Sequence, residues 1–140
     1  MITHQTPVDG PCVAITANVH GDESTGCGAI FAVDALLPTI LGRGAVLMFP
    51  SLNPDGLRAR QRALPDDSSD LNRAFPGDAA GTPSARHAAA IWEALDEAAL
   101  EVLIDLHADS SVAIPYAIVD RPVRVPVADL PALGERLHAL

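Results

Sequence analysis

Three short apolar runs, each ending on a polar group, constrain this chain more than any other feature. "CVAITANV" (12–19) runs into His20, "GAVLMFPSL" (44–52) into Asn53, and "EVLIDLH" (101–107) closes on His107. The first two runs predict buried strands, the first being uninterrupted and too short to need a helix, and the third run reads as another strand. Helical spacing follows the first run over "ESTGCGAIFAVDALLPTI" (23–40), where Pro38 is expected to end or bend the helix. A second helix is predicted over "PSARHAAAIWEALDEAA" (83–99), with Pro83 near its start and a stripe of Ala88, Ile91, Trp92 and Leu95. "IPYAIVD" (114–120) reads as a fourth strand and "VADLPALGERLHAL" (127–140) as a last helix. Strands alternating with helices predict an α/β fold, with a mixed, mostly parallel sheet covered by helices on both faces. In such sheets ligands bind beyond the carboxyl ends of the strands, where His20, Asn53 and His107 fall.

The 140 residues suit one domain, 1–140, with an apolar fraction of 49% that argues against disorder. A formal charge of −9 excludes a basic footprint for nucleic acid. All nine basic residues are arginine, so a clamp for a carboxylate or phosphate must be built from Arg. The most apolar stretch is broken by Asp34, Pro38 and Arg43, short of the roughly 20 apolar residues of a membrane span. The N-terminus, "MITHQTPVDG", has no signal-peptide pattern, and a cytoplasmic location is expected. Cys12 and Cys27 are expected as buried free thiols. "NPDG" (53–56) reads as a turn. The polar stretch from Leu57 to Thr82 reads as a loop long enough to be functional.

The residues at the strand ends suggest metal chemistry. His20 and Glu23 stand three apart at a strand-to-helix junction, and His107 closes a distant strand. Two imidazoles and one carboxylate are the ligand set of hydrolytic zinc sites that keep a position for water. HxxE alone is a short motif that also suits a helix start with acids on its dipole. The glycines of "HGDESTG" would let backbone pass close to a metal or substrate. The long loop gathers Arg58, Arg60, Arg62 and Arg73 among acids and asparagines, and the arginine fork suits a carboxylate. His87 is expected on a helix surface or in helix packing, and His4 and His138 in solvent. Tyr116 is expected as a half-buried strand tyrosine.

"HGDE", "NPDG", "DLNRAFPG" and "DLH", in that order, resemble the zinc carboxypeptidase superfamily. Within it they are most similar to the succinylglutamate desuccinylase and aspartoacylase branch of N-acyl amino acid deacylases. The resemblance spans about Val13 to Asp120 and rests on several ordered motifs. It implies a zinc carboxypeptidase-like (phosphorylase/hydrolase-like) three-layer sandwich. It further implies His20, Glu23 and His107 as ligands of one Zn2+ per chain, and Asn72 with Arg73 as the grip on the substrate's free carboxylate. The arginine that polarises the scissile carbonyl is best matched by Arg62, with Arg60 as the neighbouring alternative. Asp70 matches the acid that orients the first metal histidine. Asp105, two residues before His107, shares its face on an ideal strand and is taken as a supporting residue.

The family also uses a glutamate well after "DLH" as general base. Beyond His107 the chain has one glutamate, Glu135, whose context differs, and the expectation is therefore an N-terminal portion of such a domain, incomplete at its C-terminus. The expected function is zinc-dependent hydrolysis of an amide beside a free carboxylate, foremost deacylation of an N-acyl amino acid. A metallocarboxypeptidase, or a zinc- and carboxylate-binding module without turnover, is the alternative. The expected partner is a small carboxylate-bearing substrate, with no nucleic acid or membrane and with homo-oligomer formation left open.

Overall fold

The computed structural model describes residues 1–108 and 116–118. Four strands form one sheet: β1 (Ile2–Gln5), β2 (Cys12–Ala17), β3 (Ala45–Phe49) and β4 (Val102–Leu106), in the order β1-β3-β2-β4. β2 lies parallel to both β3 and β4, and β1 pairs antiparallel with β3. The sheet is therefore mixed and mostly parallel, as expected. β1 has no counterpart among the three apolar runs, because "ITHQ" alternates apolar and polar and lacks the buried-strand signature. The expected strand over 114–120 and helix over 127–140 lie outside the described residues, apart from Tyr116–Ile118, which form no strand.

The connections set the chemistry of the sheet. After β2 the chain crosses through α1 (Thr25–Ile40) to β3 on one side, then passes through α2 (Pro54–Ala59) and α3 (Pro83–Glu97) to β4 on the other. The carboxyl end of β2 is thus the switch point at which the two crossovers diverge, the favoured crevice of open α/β sheets.

Strand alternation assigns the two faces. Ile15, Ala17, Val46, Met48, Ile2 and Leu106 pack with Ile30 and Leu37 of α1. The intervening residues point away, and Phe49 joins Val19, Leu52, Leu64, Leu71, Ala88 and Ile91 in a second cluster under α3. Full burial of Ile30 and Leu71 stabilises the two layers by about 1.5–3 kcal/mol each. Among the described residues no helix is long and apolar enough to cross a membrane.

Several expectations need correction. Pro38 does not itself end α1: it lies in the last turn, where it forgoes the bond an N–H would make to the Asp34 carbonyl, and the helix stops two residues later, with the Leu41 N–H closing on Leu37 at 2.9 Å. "NPDG" is the start of α2 rather than a free turn: Asn53 caps it through the Gly56 N–H at 2.8 Å, and Pro54 occupies the first turn. Trp92 leaves the α3 stripe and stays half exposed beside Phe75, while Ala88, Ile91 and Leu95 pack into the cluster with Val19, Leu64 and Leu71. Cys12 and Cys27 are half-buried rather than buried. Tyr116 is exposed. His4 is not free in solvent; its place on the α1 face of β1 brings Nε2 to 2.7 Å from Asp34.

The long stretch before α3 is pinned at several points. A 3-10 turn over Leu71–Arg73 buries Leu71, and Asp70 accepts the Asn72 N–H at 2.9 Å. Asp67 accepts the Ser84 N–H at 2.9 Å in the first turn of α3, beside the Thr82 cap, and the Ser69 N–H at 3.1 Å. Those bonds, the Ser84 N–H foremost, pull the Asp67 carboxyl down from 3.8 to about 2.

Candidate metal and substrate site

Beyond the carboxyl end of β2 the backbone turns sharply. Asn18 takes a left-handed conformation (φ 58°), Val19 dips into the second core cluster, and His20 follows, 3% exposed. The Glu23 N–H bonds back to the His20 carbonyl at 3.1 Å, which closes a tight turn before α1 begins. β4 is the parallel neighbour of β2, so His107, just past its end, comes to the same rim. The two imidazoles lie 5.2 Å apart between centroids.

Glu23 sits between them. One carboxylate oxygen is 2.7 Å from His20 Nδ1, and the other is 3.1 Å from His107 Nδ1 and accepts the Ala108 N–H at 2.9 Å. Each ring turns its other nitrogen to a different acid: His20 Nε2 lies 3.1 Å from Asp70, and His107 Nε2 lies 2.8 Å from Asp105. Asp105 is itself held by the Thr16 hydroxyl, its register partner on β2, at 2.7 Å. Burial works against the charge on Glu23, but the Ala108 N–H, His20 and His107 outweigh it and hold the carboxyl below its ordinary 4.5. At Asp70 burial is likewise overcome, chiefly by the charge of His20 and by the Asn72 N–H.

This pattern tests whether a cation fits. A histidine that donates Nε2–H to an outer acid presents the lone pair of Nδ1 inward. Both inward nitrogens face the same carboxylate, so three acceptors converge unless both rings are protonated or a cation lies among them. The donor atoms of His20, Glu23 and His107 all lie within 4.8 Å of one another, with burial falling from His20 through Glu23 to the exposed His107. The set is suited in kind and arrangement to a divalent ion approached from the His107 side.

Arg62 reaches this cluster from the long loop. Its guanidinium donates to Glu23 at 3.3 Å and to Asp70 at 3.4 Å, while the side chain stays 51% exposed. Arg60 is the left-handed cap of α2, and among the described residues its side chain bonds to none of these groups. Asn72 and Arg73 form the 3-10 turn directly after Asp70; Asn72 is half-buried, Arg73 is exposed, and neither side chain bonds to the cluster. His87 packs half-buried on α3 and contacts the Leu52 carbonyl at 2.7 Å, away from the cluster.

Two buried asparagines hold the surrounding backbone. Asn53 spans two elements, donating to the Arg62 carbonyl at 3.3 Å and to that of Val19 at 3.5 Å. Asn18 holds the turn that carries His20 and Glu23. Sequence reasoning placed Asn53 at a strand end but passed over Asn18; a polar residue interrupting "AITANV" was the available signal. The first glycine of "HGDESTG" does allow a close approach, but to the protein itself: a Cβ on Gly21 would stand 2.1 Å from the Gly56 carbonyl carbon.

Residues 9–128 match the family model for the succinylglutamate desuccinylase/aspartoacylase catalytic domain. An N-alpha-acetyl-L-2,4-diaminobutyric acid deacetylase of Halomonas elongata is 32% identical over 111 residues, which cover 78% of this chain and 32% of that enzyme. The crystal structure of an aspartoacylase family protein from Mesorhizobium loti aligns with a TM-score of 0.70 at 32% identity, over 75% of this chain and 33% of that one. A metallo-carboxypeptidase from Burkholderia cenocepacia aligns with a TM-score of 0.64 over 79% of this chain and 31% of that one, and at 21% identity it shows the fold alone. The chain spans about a third of the length of these relatives, and its fold is zinc carboxypeptidase-like. On the matched residues and the fold together, the chain belongs to the succinylglutamate desuccinylase/aspartoacylase catalytic-domain family.

Proposed function

We propose that this chain carries the metal-binding and carboxylate-binding part of a zinc-dependent amide hydrolase, and that its substrate class is N-acyl amino acids. The observation that carries the reading is the convergence of His20 Nδ1 and His107 Nδ1 on Glu23, with each Nε2 turned to an acid. His20, Glu23 and His107 would hold one Zn2+, oriented by Asp70 and Asp105. When bound, zinc supplies a Lewis acid for the scissile carbonyl and a water of lowered pKa.

The remaining steps belong to the protein. Arg62 stands beside Glu23 and Asp70, placed to donate to the carbonyl oxygen as negative charge develops there. Asn72 and Arg73, on the turn that Asp70 caps, would bind the free carboxylate of the amino acid and set its distance from the reacting amide. The acidic chain can attract an anion here because local arginines decide the potential in a cleft. The kinship with a deacetylase of an N-acetylated diamino acid favours deacylation over removal of a C-terminal residue. We place the protein in the cytoplasm.

The first experiment measures metal stoichiometry on the purified chain, with His20→Ala as control, followed by hydrolysis of N-acyl amino acids and of peptides. About one zinc per chain, lost in the control, with deacylation preferred, is the expected result. No zinc in a folded, zinc-supplemented protein would overturn the reading. One observation favours a second reading. Among the described residues no further glutamate approaches the cluster; Glu93 and Glu97 lie on α3. A module that binds zinc and a carboxylate without turnover would bind stoichiometrically yet hydrolyse nothing.

A further inference from the structure

We propose that Asn18 is a positioning residue for the metal site: its carboxamide ties together the backbone of His20 and Glu23 and references both to β3. The inference rests on the metal reading above.

Asn18 is fully buried, and every polar group of its side chain is committed. Nδ2 donates to the His20 carbonyl at 2.7 Å and to the Glu23 carbonyl at 3.2 Å, and Oδ1 accepts the Ser51 hydroxyl at 2.6 Å. Its own carbonyl accepts the Asn53 N–H at 3.0 Å, just past the end of β3. A carboxamide has two donor hydrogens, and here both go to the backbone of the two residues whose side chains face each other at 2.7 Å. Burial alone would require that the group find partners; it would not require these two carbonyls. With both carbonyls held, the turn cannot twist about its own hydrogen bond, and the separation of His20 Nδ1 from the Glu23 carboxylate is set before any ion arrives. The Ser51 bond then locates that pair against the strand beside β2.

The left-handed backbone offers a clean test. Asparagine tolerates φ 58° better than most residues, and glycine tolerates it freely. Asn18→Gly therefore keeps the backbone conformation and removes only the carboxamide. Asn18→Asp keeps an acceptor for Ser51 but replaces both donor hydrogens with a carboxylate oxygen. Zinc affinity is measured on the full chain by competition with a chelator, and the site geometry by the visible spectrum of the Co2+-loaded protein. Far-UV circular dichroism and unfolding of the metal-free protein run alongside.

The expected result is a zinc affinity about 10–100-fold weaker in Asn18→Gly and at least as weak in Asn18→Asp, with a changed cobalt spectrum and the fold retained. Affinities within about twofold of the parent, with an unchanged spectrum, would overturn the inference even if the metal-free protein lost stability, since metal-site partners of this kind ordinarily cost tenfold or more. If both variants fail to fold, Ser51→Ala decides, because it leaves Asn18 in place and loosens only its anchor. A zinc affinity weakened about threefold or more supports the inference, and an unchanged one overturns it. Failure of the unmutated chain to bind zinc would overturn the metal reading itself, an outcome distinct from equal binding by parent and variants.

Discussion

At the scale of single residues, the site is a set of polar groups whose partners are nearly all supplied by other elements. Arg62 shows how magnitudes separate stability from function. Its two contacts are longer than 3.2 Å and half exposed, and such pairs contribute about 0–1 kcal/mol. Arg62→Ala should therefore leave thermal stability almost unchanged while lowering kcat by about 10²–10³ on an N-acyl amino acid, the cost of an oxyanion donor. Equal loss in Arg60→Ala would move that role along the loop. Arg73→Ala, on a side chain assigned to ground-state and transition-state binding alike, should mainly raise KM; collapsed kcat at constant KM would contradict it. Asp67 carries a pH signature. Its carboxyl titrates at about 2 in the folded protein against 3.8 unperturbed, so its contribution is complete above pH 3.8 and is lost as pH falls through about 2. Denaturant unfolding of the protein and of Asp67→Asn should differ at pH 5 and converge near pH 2; a difference that persists at the lower pH would remove Asp67 as its source.

At the scale of elements, hydrophobic runs proved to be readable and their contexts less so. β2 and β3 were legible as uninterrupted apolar segments because parallel strands covered on both sides need no alternation; β4 was legible from its apolar run as well, although Leu103 and Ile104 stay exposed among the described residues. β1 was not, since an antiparallel edge strand of four residues is specified by its pairing with β3. α1 was legible in extent but not in orientation: it is apolar nearly all round, with Phe31, Leu36 and Ile40 exposed, so spacing alone does not name the buried face. α2 escaped because Asn-Pro-Asp-Gly signals a turn and a helix start equally well, and the Asn53 cap with its tertiary bonds decides between them. The contact of α2 with the His20 turn makes a sharp prediction. In Gly21→Ala the new methyl would meet backbone of Gly56 and Gln61 at 2.1 and 2.5 Å, with no flexible side chain to yield. The substitution should cost about 1–3 kcal/mol or more, read by denaturant unfolding, and should displace the His20 turn. A neutral result would mean that α2 and the turn do not pack as described.

At the scale of the whole molecule, the sheet order places the site. One crossover runs from β2 to β3 and the next from β3 to β4 on the opposite side of β2, and the His20, Glu23 and His107 cluster gathers at the β2 and β4 rim between them. Since His20, Glu23 and His107 come from β2, α1 and β4 surroundings, a bound ion would staple distant parts of the chain. Zinc at a hundredfold its dissociation constant should therefore stabilise the protein by about 2.7 kcal/mol, seen as a rise in Tm that a chelator reverses and His20→Ala abolishes. No shift in the parent protein would argue against a site shared across these elements. The sequence by itself determined the fold class, the strands of the parallel core and the identity of the candidate ligands, because these depend on local apolar patterning and on ordered motifs of residue type. The motifs and spacing already set Asp70 beside His20 and Asp105 beside His107; only the tertiary structure decided that Arg62 rather than Arg60 reaches the cluster and that Asn18 and Asn53 hold its backbone. Those facts follow from strand register and from buried carboxamides satisfying carbonyls up to 34 residues away, and no spacing along the chain encodes them.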